Sequence, residues 1–466
     1  MKLNRNVERD NMRKYYQAAL AVIAVVSLVS LLVYRHEYNR LRYVLEVFNY
    51  FGKPELKNAD MNCTNFAPTY TAFNARFDEP MPSWQRLEDD LYVYSAYRLD
   101  DRNIRAVALG TANSVASVQC LVFFENESKP ILGNFKFLPI VSEIASSRKD
   151  NTKYAGYHFV CTYVNTNGVK IPTGVTFLTK SNKFLNYAPV LPIKSQPESL
   201  SHKRIGVCVT QSLTKPTQAT DIINFVNFHA LIGMNNFIVY DSGIPNEINT
   251  KLKEIANDPT LFWKFTYTVI PWNFPFMDID QNVIREIMEI DCLYRTYNGV
   301  AYAIVLSWNE YMVLKYHHTA IDLMVDFERY SIGKLGRLTT RLAVSRYALN
   351  TTTFCTQQAD NKQYTDSNMM VLKKTMKVNG NVVKDHYPIY MYDPFAYVNS
   401  VISQNFHPHT KEAGIDLVAI NHYKYCDNYK DGQGVEDSAI LRFAQDLQNS
   451  PILTKYYNNV PDIDIK

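Results

Sequence analysis

Residues 15–34 carry no charged side chain, and their centre, Ala18 to Val33, consists almost entirely of Ala, Val, Ile and Leu. At a rise of 1.5 Å per residue, a helix of this length spans about 30 Å, the thickness of the hydrocarbon layer of a membrane. A cleaved signal peptide is the alternative, but the run is long for that role and no small-residue cleavage site follows it. We therefore predict a transmembrane signal anchor over 15–34, preceded by a cytoplasmic tail over 1–14.

The charges on either side of the anchor predict its orientation. Basic residues are more frequent before it than after it: Lys2, Arg5, Arg9, Arg13 and Lys14, against Arg35, Arg40 and Arg42. Basic flanks stay preferentially in the cytoplasm. The C-terminal part of the chain is therefore expected in the lumen of the secretory pathway.

Cysteines and glycosylation sequons agree with this orientation. All 7 cysteines follow the anchor, as expected for disulfides in an oxidising compartment. Their odd number leaves at least one without a partner inside the chain, and their spacing does not fix the pairing. N-glycosylation sequons, which also lie C-terminal to the anchor, begin at Asn62, Asn126 and Asn350.

The remaining sequence is predicted to form a stem and folded domains. A content of 47% hydrophobic and 20% charged residues is typical of a globular protein, and a net charge of +4 without a basic block argues against nucleic acid as a partner. Residues 35–85 are predicted to be a stem; its first part, 35–51, has an apolar stripe that either mediates a homodimer or packs on the folded domain. Residues 86–200 contain short strands rich in aromatic and β-branched residues, which predict a β-rich domain.

Residues 201–460 are predicted to form an α/β domain. The apolar strands Ile205–Thr210 and Asn236–Tyr240 enclose an amphipathic helix, an arrangement typical of a βαβ unit with parallel strands. A second unit follows, with strands Trp263–Ile270 and Val300–Leu306 around another helix.

Polar residues stand where two of these strands end. Asp241 follows the second strand, and Ser307-Trp308-Asn309-Glu310 follows the last. Open α/β sheets bind their ligands at the carboxyl ends of the strands. The sequence therefore predicts a ligand site at this edge, without a P-loop or a GxGxxG motif.

Several motifs, in their order along the chain, resemble those of glycosyltransferase family 92: Tyr94-Ser95-Ala96-Tyr97, Val207-Cys208-Val209, the segment 229–241, Asp291-Cys292-Leu293 and the segment 421–425. The resemblance implies a type II Golgi membrane protein with a GT-A-like, nucleotide-sugar-binding catalytic domain. It also implies an inverting galactosyltransferase that moves galactose from UDP-galactose to fucose or galactose on a glycan acceptor.

The metal motif of the family is altered in this chain. The resemblance implies Mn²⁺ or Mg²⁺ held by an Asp-x-Asp-Glu motif, but the matching positions here read Ser307-Trp308-Asn309-Glu310. Asn309, Glu310 and His422 are the candidate ligands of a weak site, because a carboxylate and neutral oxygens still suit a hard cation. Three interpretations stay open: an enzyme with weak or no metal, an inactive relative that binds nucleotide or glycan, or a different acidic pair at Asp278-Ile279-Asp280. The last is disfavoured because no strand directly precedes that pair.

The resemblance also provides candidate site residues. Glu310 is a candidate general base, since inverting transfer needs a group that deprotonates the acceptor hydroxyl, and Asp291 is a second catalytic candidate. The candidates for binding the nucleotide-sugar are Asp241, His407, His422 and Tyr423. For Asp241, Asp291 and the histidines, a structural role in a turn, helix or strand is the alternative.

Overall fold

The computed structural model of the chain describes residues 26–27, 30, 84–88, 90–125, 127, 129–140, 144–145, 153–164, 171–179, 189–194, 204–210, 217–241, 244–261, 263–276, 281–334, 344–378, 388–402, 408–426, 434–456 and 464–465. The chain divides into two compact units, Met1–Ala67 and Pro68–Lys466. The predicted anchor and stem lie outside the described residues except for 26–27, 30 and 84–85. Within the part described, no helix is both long and apolar enough to cross a bilayer.

Apart from the helical positions 26–27 and 30, the described strands and helices follow residue 84. Those of the first sheet are β1 (Gln85–Glu88), β2 (Leu91–Arg98), β3 (Asn103–Gly110), β4 (Gln119–Phe124), β5 (Ile131–Pro139), β6 (Ile144–Ala145), β7 (Lys153–Thr162), β8 (Pro172–Leu178) and β9 (Val190–Lys194). The later strands are β10 (Ile205–Thr210), β11 (Thr217–Gln218), β12 (Asn236–Asp241), β13 (Thr266–Pro271), β14 (Tyr302–Ser307), β15 (Glu310–Leu314), β16 (Arg346–Leu349), β17 (Thr351–Cys355), β18 (Met376–Val378), β19 (Ile389–Tyr392), β20 (Thr410–Glu412), β21 (Val418–Lys424), β22 (Gly434–Glu436) and β23 (Asp464–Ile465). The helices are α1 (Ala112–Val115), α2 (Ala219–Leu231), α3 (Asn246–Asn257), α4 (Gln281–Thr296), α5 (Ala320–Lys334), α6 (Met370–Lys373), α7 (Pro394–Ile402), α8 (Ala444–Gln448) and α9 (Pro451–Tyr456), with a 3-10 turn at Ala439–Phe443.

The first sheet closes on itself. Its strand order is β1-β2-β3-β7-β5-β4-β8-β9, and β9 returns to pair with β2 at Ala96↔Ile193 and Tyr97↔Lys194. Side chains alternate across each strand, so one set fills an apolar core that includes Val93, Phe159 and Phe177. The predicted strand content of this part is confirmed; its standing as a separate domain over 86–200 stays a prediction.

A disulfide between Cys120 and Cys161 lies in the core of the closed sheet and explains a glycine in strand β5. A Cβ atom added at Gly133 would lie 2.7 Å from the Cys120 sulfur and closer still to the Cys161 sulfur. Only a residue without a side chain fits beside this disulfide.

Replacing Gly133 with Ala is expected to lower the free energy of unfolding by about 1–3 kcal/mol, because an extra methyl group in a filled core displaces its neighbours. Urea unfolding under oxidising conditions measures the change. Gly206→Ala is a matched control, since a Cβ there would meet its nearest neighbour at an ordinary 3.4 Å. Equal stability of the Gly133 variant and the wild type would contradict the expectation.

The second sheet is the predicted α/β layer. Its strand order is β13-β12-β10-β14-β19-β16-β20, and the first four strands are parallel. Helices α2, α3 and α4 follow β10, β12 and β13 in the chain. A mixed α/β fold is therefore confirmed, and the parallel strands are apolar runs because both of their faces are covered.

Helix α2 ends at Leu231, and the turn after it contains Gly233. This residue has a φ of +86°, which a glycine adopts without steric cost. The Gly233 N–H donates to the Ala230 carbonyl and the Met234 N–H to the His229 carbonyl, the pair of bonds that defines a Schellman cap. The cap turns the chain directly into β12.

A third sheet, ordered β15-β21-β17-β18-β22, extends from the end of β14. Cys355 of β17 and Cys426 just after β21 form a disulfide beside it, and Cys208 of β10 is joined to Cys292 of α4. Together with Cys120–Cys161, these disulfides involve six of the 7 cysteines. Cys63, the remaining one, lies outside the described residues.

The closed sheet and the α/β sheet share one apolar core. Tyr94 and Tyr97 of β2 pack in the same buried cluster as Ile287 and Leu293 of α4. Helix α4 is therefore covered on one side by the closed sheet, and its polar groups on that side must find partners inside the protein.

Candidate functional site

The carboxyl ends of four parallel strands form the edge at which the sequence predicts a ligand site. Asp241 at the end of β12 is level with Pro271 at the end of β13. Thr210 at the end of β10 is level with Ser307 at the end of β14. The polar residues predicted from the two βαβ units therefore lie at one edge of the sheet, as they must when parallel strands are in register.

Asp241 organises the chain that leaves β12. One of its carboxylate oxygens accepts the backbone N–H of Ile244 at 2.6 Å, and the other accepts the side-chain amide of Asn249 at 2.9 Å. Its carbonyl accepts the Trp272 N–H at 2.7 Å. These contacts show the turn role that the sequence left open; the nucleotide-binding role of Asp241 stays a prediction.

The turn between β14 and β15 is fixed by strand β21. The Asn309 side-chain amide donates to the Tyr423 carbonyl at 2.8 Å, and the Tyr423 N–H donates to the Asn309 carbonyl at 2.9 Å. The Asn309 Oδ1 atom is buried and has no hydrogen-bond partner in the described residues. An aspartate at 309 would lose the donor that holds this turn.

Glu310 is paired with an arginine from helix α4. Arg285 donates to both carboxylate oxygens of Glu310 at 3.0 Å, and the Ser307 N–H donates to Glu310 Oε2 at 2.7 Å. Burial raises the pKa of Glu310, but the Arg285 charge and its hydrogen bonds, the nearby His422 and the Ser307 N–H outweigh it, so the pKa lies below its usual value. An ionised carboxylate with both oxygens occupied is better suited to positioning the turn than to accepting a proton.

His422 and Tyr423 are adjacent on β21 but differ in exposure. His422 lies opposite Glu310 in the strand pair and is partly exposed. Tyr423 is 1% exposed, and its ring packs against Phe354 and Tyr311. Tyr423 therefore contributes its backbone to the edge and its side chain to the core. His407, the remaining candidate, lies outside the described residues.

Comparison with known proteins decides the family. A model of glycosyltransferase family 92 matches residues 203–456, more than half of the chain. The chain belongs to glycosyltransferase family 92. No curated protein matches its sequence.

Two solved structures show weak similarity to this family 92 chain. The galactosyltransferase LgtC, in complex with donor and acceptor sugar analogs, has 9% identity and a TM-score of 0.25 over 53% of this chain and 96% of its own. A cyclomaltodextrinase has 8% identity and a TM-score of 0.16 over 35% of this chain and 35% of its own.

The divalent-cation site of the family is not reproduced by the described residues. Ser307 and Asn309 stand where the resemblance places aspartates, and the carboxylate of Glu310 is neutralised by Arg285. Among the described residues, no three His, Cys, Asp or Glu side chains lie together as a group that could hold a metal ion. These residues do not fit Mn²⁺ or Mg²⁺, because a guanidinium already occupies the carboxylate that a cation would need. The alternative pair Asp278 and Asp280 lies outside the described residues.

Asp291 connects three of the family 92 motifs. It is fully buried and accepts hydrogen bonds from the hydroxyls of Ser95, of Tyr97 at 2.8 Å and of Tyr240 at 2.6 Å. Arg295, one helical turn further along α4, completes the cluster at 3.0 Å. This geometry favours the structural role over the catalytic one predicted for Asp291.

The hydroxyl bonds bring these motifs together in the folded chain. Tyr94, Ser95 and Tyr97 belong to the closed sheet, and the Tyr94 hydroxyl donates to the Pro271 carbonyl at 2.7 Å. Burial raises the pKa of Asp291, but the Arg295 charge and the three hydroxyl donors outweigh it, and the pKa is lowered. The carboxylate therefore stays ionised and fastens helix α4 to both sheets.

His229, at the start of the motif segment that ends with Tyr240 and Asp241, is also structural. Its Nδ1 donates to the Phe225 carbonyl at 2.9 Å, and its Nε2 accepts the Met312 N–H at 3.3 Å. Burial lowers the pKa of His229 to about 3, although the bond to Phe225 opposes this. The neutral ring thereby connects helix α2 to β15.

Among the sequons, Asn350 alone is in the described part of the chain. It is exposed at the junction of β16 and β17, and its side-chain amide donates to the Ala413 carbonyl at 3.1 Å. Asn62 and Asn126 lie outside the described residues. Glycosylation of all three stays a prediction.

Sequence reasoning missed Arg285, the residue that pairs with the Glu310 carboxylate and keeps it ionised. Arg285 also donates to the Val305 carbonyl at 2.7 Å, so it lies under the end of β14. A charged residue within the apolar face of α4, beside Ile284 and Ile287, is the sequence signal that could have identified it.

Proposed function

We propose that this family 92 chain is an inverting glycosyltransferase that moves galactose from UDP-galactose to a glycan acceptor. The observation that carries the proposal is the coincidence of the family match over 203–456 with the four parallel strands and their polar edge. A GT-A-like domain places a nucleotide-sugar at such an edge. The donor sugar, the acceptor and inversion come from the family resemblance.

The chemistry at this edge must offset the charge of the departing UDP. In inverting transfer the acceptor hydroxyl attacks the anomeric carbon, the bond to the diphosphate breaks, and the hydroxyl proton passes to a base. Because Ser307 and Asn309 are neutral, we propose that hydrogen-bond donors meet the diphosphate, with the partly exposed His422 as one of them. Glu310 stays the candidate base only if its pair with Arg285 opens.

The proposed location is the Golgi lumen, with a single membrane pass at 15–34. The pairing of six cysteines in disulfides supports an oxidising compartment. Treatment of the cell-expressed protein with peptide N-glycosidase tests this: a loss of apparent mass supports a luminal domain, and an unchanged mass in the wild type counts against it.

An inactive relative that binds nucleotide or glycan is the second candidate. It is favoured by the paired state of Glu310, which leaves the altered motif without a free carboxylate at 307–310. The experiment that separates the two uses the purified full-length chain and a panel of UDP-sugars, with Mn²⁺ and with EDTA. Transfer or hydrolysis of UDP-galactose supports the enzyme. Binding of UDP-sugar by calorimetry without turnover supports the inactive relative. If the chain shows neither turnover nor binding, both candidates are overturned.

Restoring the family motif tests metal dependence directly. We expect the wild-type turnover to be the same in Mn²⁺ and in EDTA, whereas Ser307→Asp combined with Asn309→Asp should bind Mn²⁺ through the added carboxylates. The second change removes the bond to the Tyr423 carbonyl and is expected to cost about 1 kcal/mol of stability. Mn²⁺ titration followed by calorimetry, with Asn309→Asp alone as the control, measures the gain. Wild-type turnover that EDTA abolishes would contradict the expectation.

A further inference from the structure

Arg105 is a buried cation on strand β3, away from the sheet edge. The residue is 3% exposed, and its Nε and Nη1 atoms have no hydrogen-bond partner in the described residues. A buried charge without compensation costs several kcal/mol. Such a group in a folded protein therefore requires a counter-charge.

The other buried arginines at this interface have one. Arg285 pairs with Glu310 at 3.0 Å and Arg295 pairs with Asp291 at 3.0 Å. For Arg105, no carboxylate of the described residues lies at ion-pair distance. Among the described residues, Arg105 therefore lacks the directly paired carboxylate that Arg285 and Arg295 have.

The neighbours of Arg105 are neutral. It is level with Tyr97 across the β2–β3 pair, and it lies near enough to Tyr294 of α4 for its charge to oppose the rise that burial causes in the pKa of that tyrosine. That hydroxyl lies 2.6 Å from His158 Nδ1. Burial and then the Arg105 charge lower the pKa of His158 to about 3, so the ring is uncharged. Tyrosine and neutral histidine thus supply no negative charge to Arg105.

We propose that Arg105 binds a small monovalent anion, of which chloride is the physiological example, between the closed sheet and helix α4. The Nε–H and Nη1–H groups are the donors to the anion. Their burial excludes a nucleotide or a glycan at this site and selects a single-atom ion. Because α4 also carries Arg285 and Asp291, the anion stabilises the helix that supports the sheet edge.

Thermal unfolding of the purified full-length chain tests the site. Chloride is titrated against gluconate at constant ionic strength, so that general screening does not change. Binding to the folded state alone raises Tm in a saturable manner, and we expect a rise of roughly 2–4 °C. Bromide should replace chloride, and an anomalous-scattering peak beside Arg105 in crystals grown in bromide should locate it.

Three variants make the test specific. Arg105→Met should remove the chloride response, and Arg105→Lys, which keeps a cation, should retain part of it. Arg102→Met changes the same charge at an exposed position nearby and should keep the full response. A wild type without a saturable response, or an Arg105→Met variant that retains it, would overturn the proposal. If Arg105→Met does not fold, the bromide peak in the wild type decides: its absence overturns the site.

Discussion

Replacing Asp291 with Asn should lower the free energy of unfolding by about 3–5 kcal/mol, the cost of leaving one partner of a buried ion pair without compensation. The Arg295 guanidinium, which lies 3.0 Å from the carboxylate, would keep its charge in a buried position. An amide also offers weaker acceptors to the hydroxyls of Ser95, Tyr97 and Tyr240. Chemical unfolding followed by tryptophan fluorescence measures the loss.

Asp101→Asn is the matched control, because it makes the same chemical change in an ion pair that is exposed to water. The Asp101 side chain is 93% exposed and pairs with Arg98 at 2.7 Å. Exposed pairs contribute little, so we expect a loss of less than about 1 kcal/mol. If the two variants unfold alike, Asp291 does not hold helix α4 against the sheets.

The dependence on pH provides a second readout for Asp291. Its pKa is lowered in the folded chain, so its ionised form contributes stability that is present above the unfolded value of about 4 and is lost as the pH falls through the lower folded value. The wild type should therefore lose stability in acid more steeply than Asp291→Asn. Parallel pH profiles for the two proteins would argue against an ionised Asp291 in the cluster.

The sequence predicted the α/β sheet because buried parallel strands consist of consecutive apolar residues. Tyr302–Ser307 and Asn236–Asp241 are examples. The strand predicted over Trp263–Ile270 is observed at Thr266–Pro271; the aromatic residues just before it favour strand in sequence, although they precede the hydrogen-bonded part.

The partners of the charged residues could not be predicted. Ser95 and Asp291 are 196 positions apart, and Arg285 and Glu310 are 25 apart, so no local period connects them. The closure of the first sheet, where β9 returns to β2, and the pairing of the cysteines are likewise set by the packing of distant segments. Motif order indicated the family, but only the packing showed that Tyr94–Tyr97 and Asp291 are one structural unit.

Replacing Arg285 with Met should also cost about 3–5 kcal/mol near neutral pH, because Glu310 would be left as a buried, unpaired carboxylate. Without the guanidinium, burial dominates, and the pKa of Glu310 should rise above its unfolded value. The penalty then begins to develop above the unfolded pKa of about 4, is complete above the raised folded pKa, and decreases as the pH falls and Glu310 takes up a proton. Urea unfolding of the variant and the wild type across this pH range measures the difference.

The combination Arg285→Met with Glu310→Gln separates the structural role of the pair from a catalytic role of Glu310. Since neutral groups of similar size often replace a buried ion pair at little cost, the double variant should be more stable than Arg285→Met alone.

A refolded double variant that still turns over UDP-galactose would show that Glu310 only positions the turn at 307–310. A stable double variant without turnover, beside an active wild type, would instead identify Glu310 as the base and require the pair to open during the reaction. A double variant no more stable than Arg285→Met would contradict the assignment of the loss to the unpaired carboxylate.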